Sequence, residues 1–314
     1  MNDVHAIIPV AGVGSRLRPH TYSAPKVLVQ VAGKPILGHI LDELKSLGIQ
    51  RLTLIVGYLG DKIQEYVESN YKFETTFVQQ NELKGLGHAI SLTKEIARNE
   101  KRILVVLGDT IFKCDLNAVL SSEESLIGVK DVNDPKRFGI IELDGDRIAG
   151  MQEKPDEPKT NLAIVGIYYL TNPALLYDCL DELIQSGQTT KGEYQLTDAL
   201  QMMIQRGFVF HPFKVDGWYD CGKFETLLET NREILAQQNG HQHDHRDPEH
   251  PNCIVNYPVS IHPTAVVENS IIGPYVTVAS GAVIRNSVIE DSIISRNASV
   301  SNIHLDKSIV SDNA

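Results

Sequence analysis

Over its last 61 residues, Ile254–Ala314, the chain carries ten Ile and ten Val against a single Leu. Apolar residues return there at Ile261, Val267, Ile272, Val278, Ile284, Ile289, Ile294, Val300, Leu305 and Val310, a step of five or six that matches no helical period. Related phrases recur as Asn269-Ser-Ile-Ile, Asn286-Ser-Val-Ile, Asp291-Ser-Ile-Ile and Lys307-Ser-Ile-Val. A repeat this short cannot bury its own apolar side chains; each strand must stack on the next, and the result is a β-helical solenoid. Sixty-one residues predict about three coils, and an uncovered end coil invites association with a second subunit.

The rest of the chain has another rhythm. Short β-branched runs predict strands at Val4–Val10, Leu52–Val56, Phe73–Val78 and Ile103–Leu107, and amphipathic spacing predicts helices at Lys34–Leu47, Asp61–Glu68 and Leu86–Ala97. This alternation, running to about Gln238, means an α/β domain: a Rossmann-like, mostly parallel sheet with helices on both faces. Ligands of such sheets bind where the loops gather at the carboxyl ends of the strands. Between the two parts, Asn239 to Asn252 contains no apolar residue and four of the 11 histidines. No carboxylate or cysteine pattern accompanies them to fix a metal geometry, so the stretch reads as a solvated linker. The expected domains are 1–238, a linker at 239–253 and the solenoid at 254–314.

Lys plus Arg number 29 and Asp plus Glu 40, a formal charge of −11. That balance excludes nucleic acid and anionic membranes as general partners, since both select positive surfaces. It leaves room for small anions held by a local cationic cluster. Cys114, Cys179, Cys221 and Cys253 form no C-x-x-C pair and are expected to be free thiols. The first residues carry no basic segment, and no apolar run approaches the roughly 18 residues of a membrane span. The expected location is the cytoplasm.

The densest chemistry follows the first strand: Ala11-Gly12-Val13-Gly14-Ser15-Arg16-Leu17-Arg18-Pro19, then Pro25-Lys26-Val27-Leu28. Glycines let backbone N–H groups approach an anion, and Arg16 and Lys26 add charge. The loop is not a Walker A sequence, because Gly-Lys-Ser/Thr is missing, and Leu17 stands where a dinucleotide fingerprint needs its third glycine. Asp109 follows a strand and a glycine, at the ligand edge of the sheet. Asp220 lies in Trp218-Tyr-Asp-Cys-Gly222. Two such carboxylates suit Mg²⁺, leaving positions for phosphate oxygens. Lys154 precedes Pro155, which should hold it extended and aim it inward.

Together these segments resemble the signature of the sugar-1-phosphate nucleotidylyltransferases, and most of all the glucose-1-phosphate thymidylyltransferases. Gln80 with Gly85-Leu-Gly-His-Ala, Leu107-Gly-Asp109, Glu153-Lys-Pro155 and Gly166 complete the likeness over about residues 4–238. The tail is similar to the left-handed β-helix of hexapeptide repeats found in some branches of that family, though its five-residue steps make it irregular. The resemblance implies transfer of a nucleoside monophosphate from a nucleoside triphosphate to a hexose 1-phosphate, with Mg²⁺ as cofactor. By the family's pattern, Ala11, Gly12, Gly14 and Ser15 lie against the triphosphate, Arg16 and Lys26 neutralise developing charge, and Gln80 and Gly85 recognise the base. Gly139, Glu153, Lys154 and Ile164 take the sugar phosphate, and Asp109 and Asp220 carry the metal. Ala11 stands where many thymidylyltransferases have glycine, and Gly85-Leu-Gly-His-Ala fits uridylyl as well as thymidylyl enzymes, so the base is open between dTTP and UTP. A mannose-1-phosphate guanylyltransferase or a non-catalytic sugar-nucleotide-binding subunit are the alternatives; the full charged set argues for an enzyme. The tail is expected to make a homo-oligomer.

Overall fold

The computed structural model describes residues 3–238 and 252–314. The expected His-rich linker therefore lies, except for Asn252 and Cys253, outside the described residues. The chain forms two compact units that cut across sequence order: Met1–Gly12 with Leu41–Trp218, and Val13–Ile40 with Tyr219–Ala314.

The first unit is built on a nine-stranded, mixed, mostly parallel sheet. Its strands are β1 (Val4–Pro9), β2 (Arg51–Val56), β3 (Glu74–Gln79), β4 (Arg102–Val106), β5 (Ser125–Asp131), β6 (Gly139–Asp144), β7 (Arg147–Glu153), β8 (Leu162–Leu170) and β9 (Phe210–Lys214). They run in the order β7-β6-β8-β4-β1-β2-β3, with β5 and then β9 branching from β8. The segment β4-β1-β2-β3 is wholly parallel, while β8 runs antiparallel to β4, β5 and β6. Consecutive residues Ile103–Val106 and Ala6–Ile8 are all buried, so both faces of the central strands are covered, as the unbroken apolar runs require.

Helix α1 (Ile36–Ser46) follows its predicted spacing; α2 (Gly60–Asn70), α3 (Leu86–Ser91), α4 (Lys94–Ala97), α5 (Pro173–Ser186) and α6 (Leu196–Gln205) follow in order. The single helix expected over Leu86–Ala97 is broken in two. Thr93 is fully buried and its hydroxyl meets the Tyr177 hydroxyl at 2.6 Å and the Ile90 carbonyl at 2.7 Å. A buried hydroxyl needs such partners, and the turn at Leu92–Thr93 supplies them. Helix α5 has conventional ends: the Asn172 side chain accepts the Leu175 N–H, Pro173 occupies the first turn, and Gly187 closes the helix at φ +67°.

In the second unit, α7 (Phe224–Gln238) accompanies the left-handed β-helix. Three parallel sheets of four, four and three short strands form its faces, one rung more on two faces than the three coils expected. Successive coils are offset by 17 residues and then 16, as Val266↔Val283 and Val283↔Ser299 show, which is the origin of the five-residue steps. The recurring phrases are its corners. Asn269, Asn286, Asp291 and Lys307 all adopt positive φ, and the serine after each bonds the carbonyl two residues back. Ser270, Ser287 and Ser292 also accept an N–H from the next coil. Asn side chains stack from Asn269 to Asn286 to Asn302. The apolar residues found at five- or six-residue steps fill the interior, with Ile261, Leu305 and Val310 only partly covered at its ends.

All four cysteines are free, Cys179, Cys221 and Cys253 being buried. Among the described residues, no helix is long and apolar enough to cross a membrane.

Candidate active site

In the first unit, the parallel order brings the loops after β4, β1, β2 and β3 to one edge. The Val10 N–H donates to the Ile55 carbonyl and the Gln80 N–H to the Val56 carbonyl, each at 2.8 Å. Two glycines allow these loops to touch. A Cβ on Gly57 would fall 2.9 Å from both the Ala11 methyl and its carbonyl oxygen, and one on Gly108 would fall 2.4 Å from Val10 Cγ1. Asp109 follows directly on Gly108 and is half-buried, with Thr110 Oγ1 donating to its Oδ1 at 3.4 Å. Gly12 differs from its neighbours: it is exposed, its φ is not positive, and a Cβ there would meet nothing within 4 Å.

Gln80 is buried, its amide nitrogen 3.4 Å from His88 Nδ1. Burial, and then the nearby Lys84 charge, push the His88 imidazole below its ordinary range. Gly85 starts α3 at φ +107°, where a Cβ would lie 2.5 Å from the Tyr194 carbonyl. The Gly87 N–H donates to that same carbonyl at 2.8 Å. The Gly-Leu-Gly stretch is therefore moulded to the Glu193–Gln195 backbone, and Gln80 and His88 share one polar contact.

Three residues expected at the sugar phosphate converge on one point. A Cβ on Gly139 would sit 2.9 Å from Glu153 Oε2 and 3.2 Å from Ile164 Cδ1. Register explains this: Gly139 pairs with Glu153 across β6 and β7, and Ile140 pairs with Ala163 of β8. A fourth residue, Thr197, lies 3.1 Å from the same position and donates its hydroxyl to Glu153 Oε2 at 2.7 Å. Sequence reasoning missed Thr197; it opens α6 and carries no motif. Burial raises the carboxyl pKa of its neighbour Asp198, with the Thr190 hydrogen bond opposing and the Glu153 charge adding.

Lys154 corrects an expectation. Its φ is +41°, not extended, because its N–H continues the β6–β7 pairing by donating to the Phe138 carbonyl at 3.0 Å. A left-handed lysine before proline is a strained backbone, of a kind that concentrates at functional sites. Its ammonium lies 3.3 Å from Glu153 Oε1. Phe138 packs edge-on against Trp218, ring centres 4.8 Å apart, and the Trp218 indole N–H is buried without a hydrogen-bond partner.

In the second unit, Gly14 has φ +63°, and a Cβ on it would lie 2.8 Å from Lys26 Cβ and 3.0 Å from Thr21 Cγ2. The Thr21 hydroxyl donates to the Gly14 carbonyl at 2.8 Å. The stem of the buried Lys26 therefore crosses the glycine turn directly. Ser15 and Arg16 are exposed. A Cβ on Gly222 would fall 2.7 Å from Asp220 Oδ1 and 3.1 Å from an Arg16 guanidinium nitrogen, and the Gly222 N–H donates to Asp220 Oδ1 at 2.8 Å. One glycine thus separates Arg16 from Asp220, joining two segments far apart in sequence. Arg18, by contrast, stacks its guanidinium on the Tyr22 ring at 5.0 Å.

Among the described residues, no group of three or more His, Cys, Asp or Glu is placed to hold a metal ion. Asp109 belongs to the first unit and Asp220 to the second, and each offers carboxylate oxygens only. Hard oxygen donors in such small number fit Mg²⁺, which takes one or two carboxylates from protein and the rest from phosphate and water.

A mixed, mostly parallel α/β sheet with glycine-turned loops at its carboxyl edge, and a lysine and an arginine at a glycine turn in the second unit, are features suited to phosphorylated ligands. The chain belongs to the Nucleotidyl transferase family, whose profile matches residues 5–237. It is 36% identical to the low-salt glycan biosynthesis nucleotidyltransferase Agl11 of Haloferax volcanii over 73% of this chain and 65% of that protein, less than two thirds of its length. It is 35% identical to the UTP–glucose-1-phosphate uridylyltransferase AglF of the same organism, over 74% of this chain and 98% of that one. A glucose-1-phosphate thymidylyltransferase of Streptomyces griseus is 29% identical over 95% of this chain and 89% of its own. A UDP-glucose pyrophosphorylase solved with UDP-glucose shares the fold, with TM-score 0.64 and 24% identity over 74% of this chain and 99% of that one.

Proposed function

We propose that the chain is a sugar-1-phosphate nucleotidylyltransferase, joining dTTP or UTP to a hexose 1-phosphate, glucose 1-phosphate first among them, with release of pyrophosphate. The observation that carries this reading is the meeting of Arg16 and Asp220 around Gly222, beside a glycine turn crossed by Lys26. Cations and a carboxylate at one anion-binding turn suit a polyphosphate with its metal, and this reading assigns none of them the role of general base.

The reaction needs none. A phosphomonoester with a second pKa of about 6 is largely a dianion near neutrality. One of its oxygens forms a bond to the α-phosphorus while the bond from that phosphorus to the bridging oxygen breaks, and pyrophosphate leaves with the electron pair. Catalysis is alignment plus charge neutralisation. Arg16 and Lys26 would neutralise the α-phosphate and the leaving pyrophosphate, with Ala11, Gly12, Gly14 and Ser15 against the chain of phosphates. Gln80 and Gly85 would read the base, Gly139, Glu153 and Ile164 the sugar, and Lys154 its phosphate. Bound Mg²⁺, held by Asp109 and Asp220, would add charge neutralisation on the phosphate oxygens.

The names of the uridylyl and thymidylyl relatives support a pyrimidine triphosphate and glucose 1-phosphate. Three buried free cysteines support a reducing compartment such as the cytoplasm. Exposed Ile303 on the last coils supports self-association, to be tested by light scattering against the 34.8 kDa chain mass. The deciding experiment is a pyrophosphate-release screen of the nucleoside triphosphates against sugar 1-phosphates. The reading predicts Mg²⁺-dependent release with dTTP or UTP; release with no pair refutes it.

A further inference from the structure

The end of the β-helix reaches the turn that carries Arg16 and Lys26. His20 lies between those residues, in the short turn His20–Tyr22. Its Nδ1 is 2.5 Å from the hydroxyl of Ser311, on the last coil. Its ring stacks on Phe224 at 6.3 Å, and Phe224 begins α7 immediately after the Asp220–Lys223 loop. Ser311 and Asp312 with Ile309 and Ser295 close over Ala24, Leu28 and Val29, leaving only about 10 Å³, roughly the space of one water. The contact is therefore packed rather than solvent-filled. Asp312 is itself fixed, accepting from the Arg296 N–H at 3.0 Å and its guanidinium at 3.1 Å.

From His20 the contacts continue inward. Thr21, the next residue, bonds and packs against Gly14, and Gly14 lies under the Lys26 stem. On the other side, Phe224 anchors the loop in which Asp220 meets Arg16 around Gly222. His20 thus touches both the last coil and the start of α7. Burial pushes its imidazole below the ordinary range, which keeps the ring neutral and able to accept the Ser311 hydroxyl near neutral pH.

We propose that His20 is a positioning residue, through which the terminal coil Ile309–Asp312 holds the Arg16–Lys26 turn in its working geometry. The β-helix is then part of the catalytic apparatus and more than an assembly module. This rests on the nucleotidylyltransferase reading, so the wild-type protein is assayed first: absence of pyrophosphate release there refutes that reading, whereas the present proposal is judged only on an active wild type.

The test is steady-state kinetics of His20→Ala, Ser311→Ala and the double variant. A misplacement of about 1 Å in a catalytic group can cost about a hundredfold, so kcat should fall at least tenfold in either single variant. The double variant should be no worse than the poorer single one, as expected of a shared contact. The KM for sugar 1-phosphate should stay within about twofold, because Gly139, Glu153 and Thr197 belong to the other unit. His20→Asn, which keeps a polar atom near the Nδ1 position, should recover most of the lost kcat. A kcat within twofold of wild type in His20→Ala, or additive losses, or no recovery in His20→Asn with folding intact by circular dichroism, would each overturn the proposal.

Discussion

Gly12 and Gly14 are two residues apart, yet replacing each by alanine should give opposite results. At Gly14 the protein itself forbids a side chain: the left-handed φ of +63° and contacts of 2.8 and 3.0 Å leave no room. The conformation costs alanine about 1–2 kcal/mol and the overpacking about 1–3 kcal/mol, so Gly14→Ala should lose about 2–5 kcal/mol of stability. At Gly12 nothing lies within 4 Å of a new Cβ and φ is not positive, so Gly12→Ala should be neutral or stabilising by about 0.4–1 kcal/mol, through the unfolded chain. If Gly12 is glycine because a triphosphate passes over it, the same methyl displaces that ligand. A displacement of about 1 Å, worth about a hundredfold or 2.7 kcal/mol, should appear in kcat/KM for the nucleotide. Urea denaturation and pyrophosphate release measure the two quantities separately. A Gly12→Ala protein with unchanged kcat/KM would show that no phosphate approaches this backbone; one with reduced stability would show that the empty space around Gly12 is misjudged.

Asp109→Ala should abolish Mg²⁺-dependent pyrophosphate release with the thermal midpoint nearly unchanged, and retained turnover would remove Asp109 from the metal site. Gly139→Ala places a methyl 2.9 Å from Glu153 Oε2 and 3.1 Å from Thr197 Oγ1; KM for sugar 1-phosphate should rise about tenfold, and a change confined to the nucleotide KM would refute the sugar assignment. His5 is buried, bonded to Thr53 at 2.8 Å, and burial lowers its pKa from 6.5 despite the opposing Glu100. Below pH 6.5 the unfolded chain then binds a proton that the fold refuses, so the stability is full above that pH and falls as pH drops, by up to about 1.4 kcal/mol per unit. His5→Gln should shrink the loss in urea midpoint between pH 7.5 and 5.5, and an equal loss in both proteins would exclude His5 as its source.

Much of the fold is legible in the sequence because its determinants are local. The strands at Val4, Leu52 and Ile103 follow from runs apolar on both faces, and the β-helix follows from serine corners that repeat with each coil. What escapes is set by partners distant in sequence. The break after Ser91 depends on a tyrosine hydroxyl in another helix, that of Tyr177. Thr197 joins the Glu153 cluster only because α6 begins there, and a threonine at a helix start ordinarily signals nothing more. Lys154 was expected extended from the following proline alone, but pairing across the β6–β7 hairpin overrides that preference.

The glycines show most clearly what a motif contains. At Gly14, Gly57, Gly85 and Gly108 a Cβ would strike backbone or the stem of a packed side chain at 2.9 Å or less, whereas at Gly139 and Gly222 it would meet at that distance only the ends of the Glu153 and Asp220 side chains, so at the first four the absence of a side chain is demanded by the packing of the protein. Those constraints would act in a catalytically inert relative as strongly as in an enzyme, and the motif's glycines are in that sense a record of fold. Gly12 is under no such demand. On the proposed function, the functional content of the opening loop would therefore rest on Gly12 and on the charges of the exposed Arg16 and the buried Lys26. A retained fold with a Gly12 side chain, or without those charges, is the form in which a binding subunit could persist after losing catalysis; this chain has kept all three.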